Sequence, residues 1–171
     1  MRGFRALVVV LILCALCATL SGCRGTARTY LDDFRIYAAE YGVEVSWLLA
    51  VARQESSFDP EDVSTAGAVG LMQLLPSTAQ WIAALNGWDC EEDMLRDPAY
   101  NIRSGAWYVR YLTDKFEGEW WIAAYNAGEG NVATWIAEGK SLDDVPFAET
   151  RTYLDRVRRY YRHYVFWGYN K

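Results

Sequence analysis

From Leu31 to about Trp167, apolar residues return every third or fourth position in one segment after another, and no run alternates in the manner of a strand. A chain written at the helical period buries its apolar side by packing helix on helix, so the expected class is all-α or nearly so. Leu31, Phe34, Ala38 and Tyr41 form a first stripe that Gly42 is placed to end. Ser46 is positioned to cap a second helix, whose Leu48, Leu49, Val51 and Ala52 lead to Gln54-Glu55-Ser56. Ser57 to Gly67 is dense in turn formers and reads as an ordered loop. Pro76 suits the first turn of a helix through Leu85, with Asn86-Gly87 turning the chain after it. A long helix is expected over Pro98 to Phe116 and a shorter one over Glu119 to Tyr125, after which Asn126 to Gly130 breaks the pattern. Asn131 can cap a helix through Ala137, and Pro146 precedes a last, arginine- and tyrosine-rich helix.

Residues 1–22 stand apart from this pattern. Arg2 and Arg5 precede an apolar run from Ala6 to Leu20, and Leu20-Ser21-Gly22-Cys23 closes it. The run is short for a bilayer span, which needs roughly 18 or more apolar residues. It reads as an export signal, and its last four residues resemble the bacterial lipobox, where the chain is cut before a cysteine that carries diacylglycerol. An uncleaved signal anchor is the alternative. The expected organisation is a signal peptide over 1–22, a lipidated tether over 23–28 and one domain over 29–171. Lipidation of Cys23 leaves Cys90 as the one other cysteine of the exported chain, a partly buried small side chain rather than a disulfide partner.

The exported chain carries 15 basic and 22 acidic residues, a formal charge of −7, which gives nucleic acid no electrostatic reason to bind. His163 is the single histidine, so a histidine triad is excluded and a metal site would lack its usual ligand. No phosphate-binding Gly-Lys-Ser/Thr segment is present. No metal and no cofactor are therefore expected. Eight tryptophans and twelve tyrosines could stack on sugar rings, although for any one of them core packing is the plainer role.

Glu55 draws attention because an apolar helix that ends in a carboxylate can carry it into a protected site, where desolvation raises its pKa toward that of a working acid. By itself the segment fits a surface glutamate equally well. The blocks around it change that reading. Glu55-Ser56, Ser64 with Gly67-Ala68-Val69-Gly70-Leu71-Met72-Gln73, Ala124-Tyr125-Asn126-Ala127-Gly128 and Pro146-Phe147-Ala148-Glu149-Thr150-Arg151-Thr152-Tyr153 together resemble the soluble lytic transglycosylase family of the lysozyme-like superfamily. The likeness runs from about Val43 to Tyr164.

The resemblance implies a lysozyme-like domain of about seven helices with a substrate cleft, and Glu55 as the single catalytic acid and base. Such enzymes cleave the bond between N-acetylmuramic acid and N-acetylglucosamine without water, closing a 1,6-anhydro ring. An intramolecular nucleophile then makes a second carboxylate unnecessary. The resemblance further implies substrate contacts from Ser64, Met72, Gln73, Tyr125, Asn126, Glu149 and Tyr153, with the Tyr125 phenol beside Glu55. Met72 fits core packing as well as a cleft wall, and Gly67 and Gly70 serve the backbone. A hydrolytic muramidase similar to goose-type lysozymes is one alternative, for which Asp59, Glu61 and Asp62 are the nearest second carboxylates. A non-catalytic glycan-binding lipoprotein is another. The arginines at 151, 156, 158, 159 and 162 read as a solvated helix face. The expected partners are peptidoglycan glycan strands and, through Cys23, a membrane of the bacterial cell envelope on its extracytoplasmic face; the chain is expected to be a monomer.

Overall fold

The computed structural model describes residues 27–170. The signal peptide, Cys23 and most of the tether lie outside them. From Leu31 onward the described chain folds into seven α-helices: α1 Leu31–Tyr41, α2 Val45–Glu55, α3 Pro76–Asn86, α4 Pro98–Lys115, α5 Trp120–Ala127, α6 Glu129–Ala137 and α7 Ala148–Phe166. Short 3₁₀ turns occupy Glu92–Arg96 and Leu142–Asp144. The only extended pairing among the described residues is two isolated bridges, Val63 with Val69 and Val69 with Leu74. The class is all-α.

Helix α2 is the axis of the molecule. Leu48, Leu49, Ala50, Val51 and Ala52 are all fully buried, so this helix is covered on every side rather than along one stripe. It packs chiefly against α7, while α1 lies on α4 and α5 bridges α4 and α7. Burying a leucine or valine side chain contributes about 1.5–3 kcal/mol, so this stretch anchors the C-terminal end of the helix. The residue at that end is Glu55.

Helix boundaries agree with the period of the sequence at α1, where Gly42 ends the helix in the left-handed conformation, and at α3 and α4, where Pro76 and Pro98 open the first turn. Asp97 caps α4 by accepting from the Tyr100 amide at 2.8 Å. Three expectations differ. Ser46 is not a cap: it lies inside α2, fully buried, and its amide is satisfied instead by Asn170 Oδ1 at 3.0 Å from the far end of the chain. Helix α5 continues through Ala127, because only Gly128, at φ 85° and ψ 146°, adopts a conformation the helix cannot. Helix α6 therefore starts at Glu129, and Asn131 sits within it, its amide donating back to the Ala127 carbonyl.

Candidate active site

The burial of α2 delivers Glu55 to the wall of a groove. The chain must then leave the helix abruptly. Ser57 and Phe58 both adopt left-handed backbone, φ 56° and 68°, which costs an L-residue on the order of 1–2 kcal/mol each. The gain is visible next door: Phe58 tucks into the core against Phe34 and Tyr164, and the Ser56 hydroxyl donates to the Leu71 carbonyl while accepting from the Asp59 amide. The loop after Glu55 is thereby tied to the segment Gly70–Gln73. Asn101 on α4 locks that segment from below. Its Oδ1 accepts from the Met72 amide at 2.8 Å and its Nδ2 donates to the Val69 and Leu95 carbonyls, both at 2.9 Å. Gly70 is required there, since a Cβ would meet Asn101 Nδ2 and the Leu95 oxygen at 2.5 Å in a backbone already at φ 81°.

The Glu55 carboxyl is crowded by protein yet reaches the groove along one side. Burial pushes its pKa up to about 7, against a smaller opposing effect of the Tyr153 hydroxyl, and the nearby Glu149 charge adds to the rise. Tyr153, itself buried on α7, donates to Glu55 Oε1 at 2.5 Å. That bond holds one carboxyl oxygen and leaves Oε2 as the one available to carry a proton. Burial, with the Glu55 charge next in size, raises the Tyr153 pKa well above its ordinary value, so its proton stays in place as a donor.

A groove of about 500 Å³ runs past Glu55, and its lining includes Ser64, Gln73, Thr78, Tyr108, Tyr125, Asn126 and Glu149. Five residues expected from the sequence thus line the groove with Glu55, namely Ser64, Gln73, Tyr125, Asn126 and Glu149, and a sixth, Tyr153, bonds Glu55 directly. Ser64 also serves its own turn, its Oγ accepting from the Ala68 amide. Gln73, in left-handed backbone, donates to the Asp62 and Gly70 carbonyls. Asn126 accepts from the Thr150 hydroxyl at 2.7 Å, which fixes its amide at the groove wall.

The Tyr125 phenol does lie beside Glu55, close enough for the Glu55 charge to add to the rise that burial gives its pKa, but two details differ from the sequence reading. The Tyr125 hydroxyl does not bond Glu55; it donates to the Met72 carbonyl at 2.8 Å, and the tyrosine that bonds Glu55 is Tyr153. The cause is the loop, whose turn at Gln73 presents the Met72 carbonyl to the end of α5. The Met72 side chain does not line the groove either. It is fully buried against Gly105, so only its backbone serves the site.

The remaining acids lie elsewhere. Asp59 accepts from the Glu61 amide as a turn former, and Glu61 pairs with Arg96. The second carboxylate in the groove is Glu149, expected from the sequence as a substrate contact and not as a partner acid. Asn101, Thr78, Tyr108 and Thr150 were not singled out from the sequence. Asn101 had a readable signal, a polar residue one turn before Gly105 on the buried side of a long helix. Of the arginines, Arg158 pairs with Glu119, Arg151 donates to the Val145 and Pro146 carbonyls, and Arg156 lines a second recess of about 430 Å³ with Glu55, Glu149 and Tyr153. Arg151, Arg156, Arg159 and Arg162 are exposed, as a solvated face requires, and Arg158 is half-buried. Cys90 is a partly buried free thiol, and no cluster of His, Cys, Asp and Glu among the described residues is arranged to hold a metal ion.

Residues 32–147 match the Transglycosylase SLT domain family. The chain is 35% identical over 147 residues to the soluble lytic murein transglycosylase of Escherichia coli (strain K12), an alignment covering 79% of this chain and 23% of that protein. It is 42% identical over 118 residues to the membrane-bound lytic murein transglycosylase C of Actinobacillus pleuropneumoniae serotype 5b (strain L20), covering 62% of this chain and 32% of the relative. Among solved structures, the 70 kDa soluble lytic transglycosylase of Escherichia coli superposes with a TM-score of 0.76 at 34% identity, over 81% of this chain and 24% of that one. The chain accordingly spans about a quarter of the length of its soluble relatives. Glu55, Ser64, Gln73, Tyr125 and Asn126 fall within the matched family segment, and Glu149 and Tyr153 lie just past it. On this match, and on a helical fold shared with those structures, the chain belongs to the Transglycosylase SLT domain family.

Proposed function

We propose that this protein is a peptidoglycan lytic transglycosylase in which Glu55 alone acts as acid and then base. The observation that carries the reading is the crowded Glu55 carboxyl in the wall of an open groove, with a pKa of about 7 and one oxygen held by Tyr153. Near neutral pH a large share of such groups is protonated and able to donate. Glu55 gives its proton to the glycosidic oxygen between N-acetylmuramic acid and N-acetylglucosamine, and the bond to C1 breaks. The substrate's acetamido oxygen supports the positive centre at C1. The C6 hydroxyl then attacks C1 and returns a proton to Glu55, giving a 1,6-anhydro end with no water consumed. The relatives support the substrate, since all three are named as lytic transglycosylases, the two sequence relatives as murein ones. Ser64, Gln73, Tyr125, Asn126 and Glu149 are the proposed glycan contacts, and Tyr153 positions the acid.

Glu149 favours one second reading. It shares the groove with Glu55 and interacts with its charge, the arrangement a hydrolytic muramidase needs to activate water. Digestion of purified sacculi with mass spectrometry of the released muropeptides separates the two. Products lighter by one water than hydrolysis products are expected; reducing ends would overturn the non-hydrolytic reading, and bound but undigested sacculi would point to a glycan-binding protein.

The proposed setting is the bacterial cell envelope, with residues 1–22 as a lipoprotein signal peptide, 23–28 as tether, Cys23 as the lipidated residue and 29–171 as a monomeric catalytic domain. The membrane-bound relative supports it. Intact-mass measurement of the membrane-extracted protein tests it, with a diacylglycerol-bearing chain starting at Cys23 as the expected species.

A further inference from the structure

The groove at Glu55 does not stop at Tyr108. It opens into a recess of about 350 Å³ lined by Ser77, Thr78, Trp81, Tyr108, Gly128 and Glu129, and it shares Thr78, Tyr108 and Gly128 with the groove itself. Trp81 forms its wall. The indole is 38% exposed, yet it stands edge-on to three other rings, at centroid distances of 5.0 Å to Tyr111, 5.6 Å to Trp107 and 6.4 Å to Tyr108. Trp107 and Tyr111 are in turn stacked on one another. A large aromatic held this firmly while part of it faces solvent loses little side-chain entropy when a flat partner settles on it.

The polar edge of the recess is equally fixed. Glu129 accepts from the Tyr111 hydroxyl at 2.9 Å and from Lys115 at 2.7 Å, and the Lys115 bond holds its pKa below the usual carboxylate range, so it remains an acceptor at neutral pH. Ser77 and Thr78 supply hydroxyls beside it. An apolar ring face flanked by hydroxyls and a fixed carboxylate matches a pyranose, which has a C–H face and hydroxyl donors around its edge. A hydrophobic peptide would leave the polar rim unpaired, and an anionic polymer would find no free cation there, since Lys115 is already paired with Glu129.

We propose that Trp81 is the stacking platform of an additional saccharide subsite, distant from the reacting bond, which makes the enzyme prefer long glycan strands. The proposal rests on the lytic reading for its substrate but not for its binding. At the opposite end the groove continues into the Arg156 recess, so the two arms differ in chemistry, one aromatic and one charged.

The test uses Trp81→Ala, with Trp81→Phe as the variant that keeps a ring, and circular dichroism and thermal melts to verify folding. On glycan strands long enough to span from Glu55 to Trp81, Trp81→Ala should lower kcat/KM about tenfold through KM, with Trp81→Phe recovering most of it. On the shortest cleavable strands, which end before the recess, the variant should match the wild type. Equal losses on long and short strands, or none on either, would overturn the subsite. Calorimetric titration of the Glu55→Gln protein with N-acetylglucosamine hexamer provides the readout that needs no turnover: adding Trp81→Ala should weaken binding about tenfold, with little dependence on salt. Unchanged hexamer binding overturns the subsite even if sacculi are digested. Absence of digestion by the wild type alongside weakened hexamer binding would overturn the lytic reading and leave the subsite standing.

Discussion

Two glutamates line the same continuous groove, each accepts a hydrogen bond from a tyrosine, and they end with opposite electrostatics. Glu55 takes its bond from Tyr153 in a crowded pocket, and its pKa rises to about 7. Glu129 takes its bond from Tyr111 at the rim, with the Lys115 ammonium 2.7 Å away, and its pKa falls. A tyrosine donor stabilises the charged form in both cases. The difference is made by the surroundings: loss of water and the like charge of Glu149 at the first site, a neighbouring cation and open solvent at the second. The proposed catalytic acid is therefore set apart from Glu129 by the failure of its hydrogen bond to offset burial.

The largest expected consequence is in turnover. Glu55→Gln keeps the shape of the side chain and the bond from Tyr153 but cannot supply the proton, so sacculus digestion should fall by about 10²–10⁴-fold with an unchanged circular dichroism spectrum. Digestion at the wild-type rate would remove the distinction between the two glutamates.

The same variant should be more stable than the wild type at alkaline pH. Glu55 binds its proton more tightly when folded than when unfolded, so its contribution is favourable at low pH and is lost as pH rises from about 4.5 through about 7. At pH 8 the wild type therefore carries a penalty of about 3 kcal/mol that Glu55→Gln lacks. Melting curves across pH 4 to 8 check this: the two proteins should melt together at the acid end, with the variant higher by roughly 4–10 °C at the alkaline end.

Tyr153→Phe sharpens the comparison further. Removing the donor should raise the Glu55 pKa by about half to one unit and move the falling limb of the kcat/KM profile to higher pH by the same amount, while digestion slows about tenfold as the acid loses its orientation. A profile that stayed in place would assign Tyr153 to packing alone.

The smallest effect belongs to Glu129. Its lowered pKa contributes stability above about pH 4.5 that is lost as pH falls through the lower folded value. The pair is about two-fifths exposed on both sides, so screening leaves it little. Lys115→Met should cost under ~0.5 kcal/mol in urea unfolding at low salt and less still at high salt.

Much of this site is legible in the sequence at the level of blocks, and less of it at the level of atoms. The three-to-four spacing places α1, α3 and α4 to within a residue or two, since local period and turn chemistry decide where a helix starts and stops. Ser46 and Asn131 look like caps in the sequence and are not, because the competing groups, Asn170 and Gly128, act through tertiary contact and backbone conformation. Residues on one loop or helix end, such as Ser64 and Asn126, are legible as groove residues. Which of Tyr125 and Tyr153 bonds Glu55 is not, because it depends on which carbonyl the Gln73 turn exposes. Met72 likewise suits cleft and core equally as a letter, and the space left by Gly105 settles it as core. Asn101 shows the limit most clearly: three hydrogen bonds organise the loop opposite Glu55, yet in the sequence it is one asparagine in a long helix.

The most direct measurement is a carbon-13 titration of the glutamate carboxyls in the folded protein, with Glu55→Gln used to assign the resonance. The account predicts a Glu55 midpoint of about 7 beside a Glu129 midpoint below 4.5. A Glu55 midpoint at or below 4.5 would leave the groove without a proton to give near neutral pH, and the proposed chemistry could not begin there.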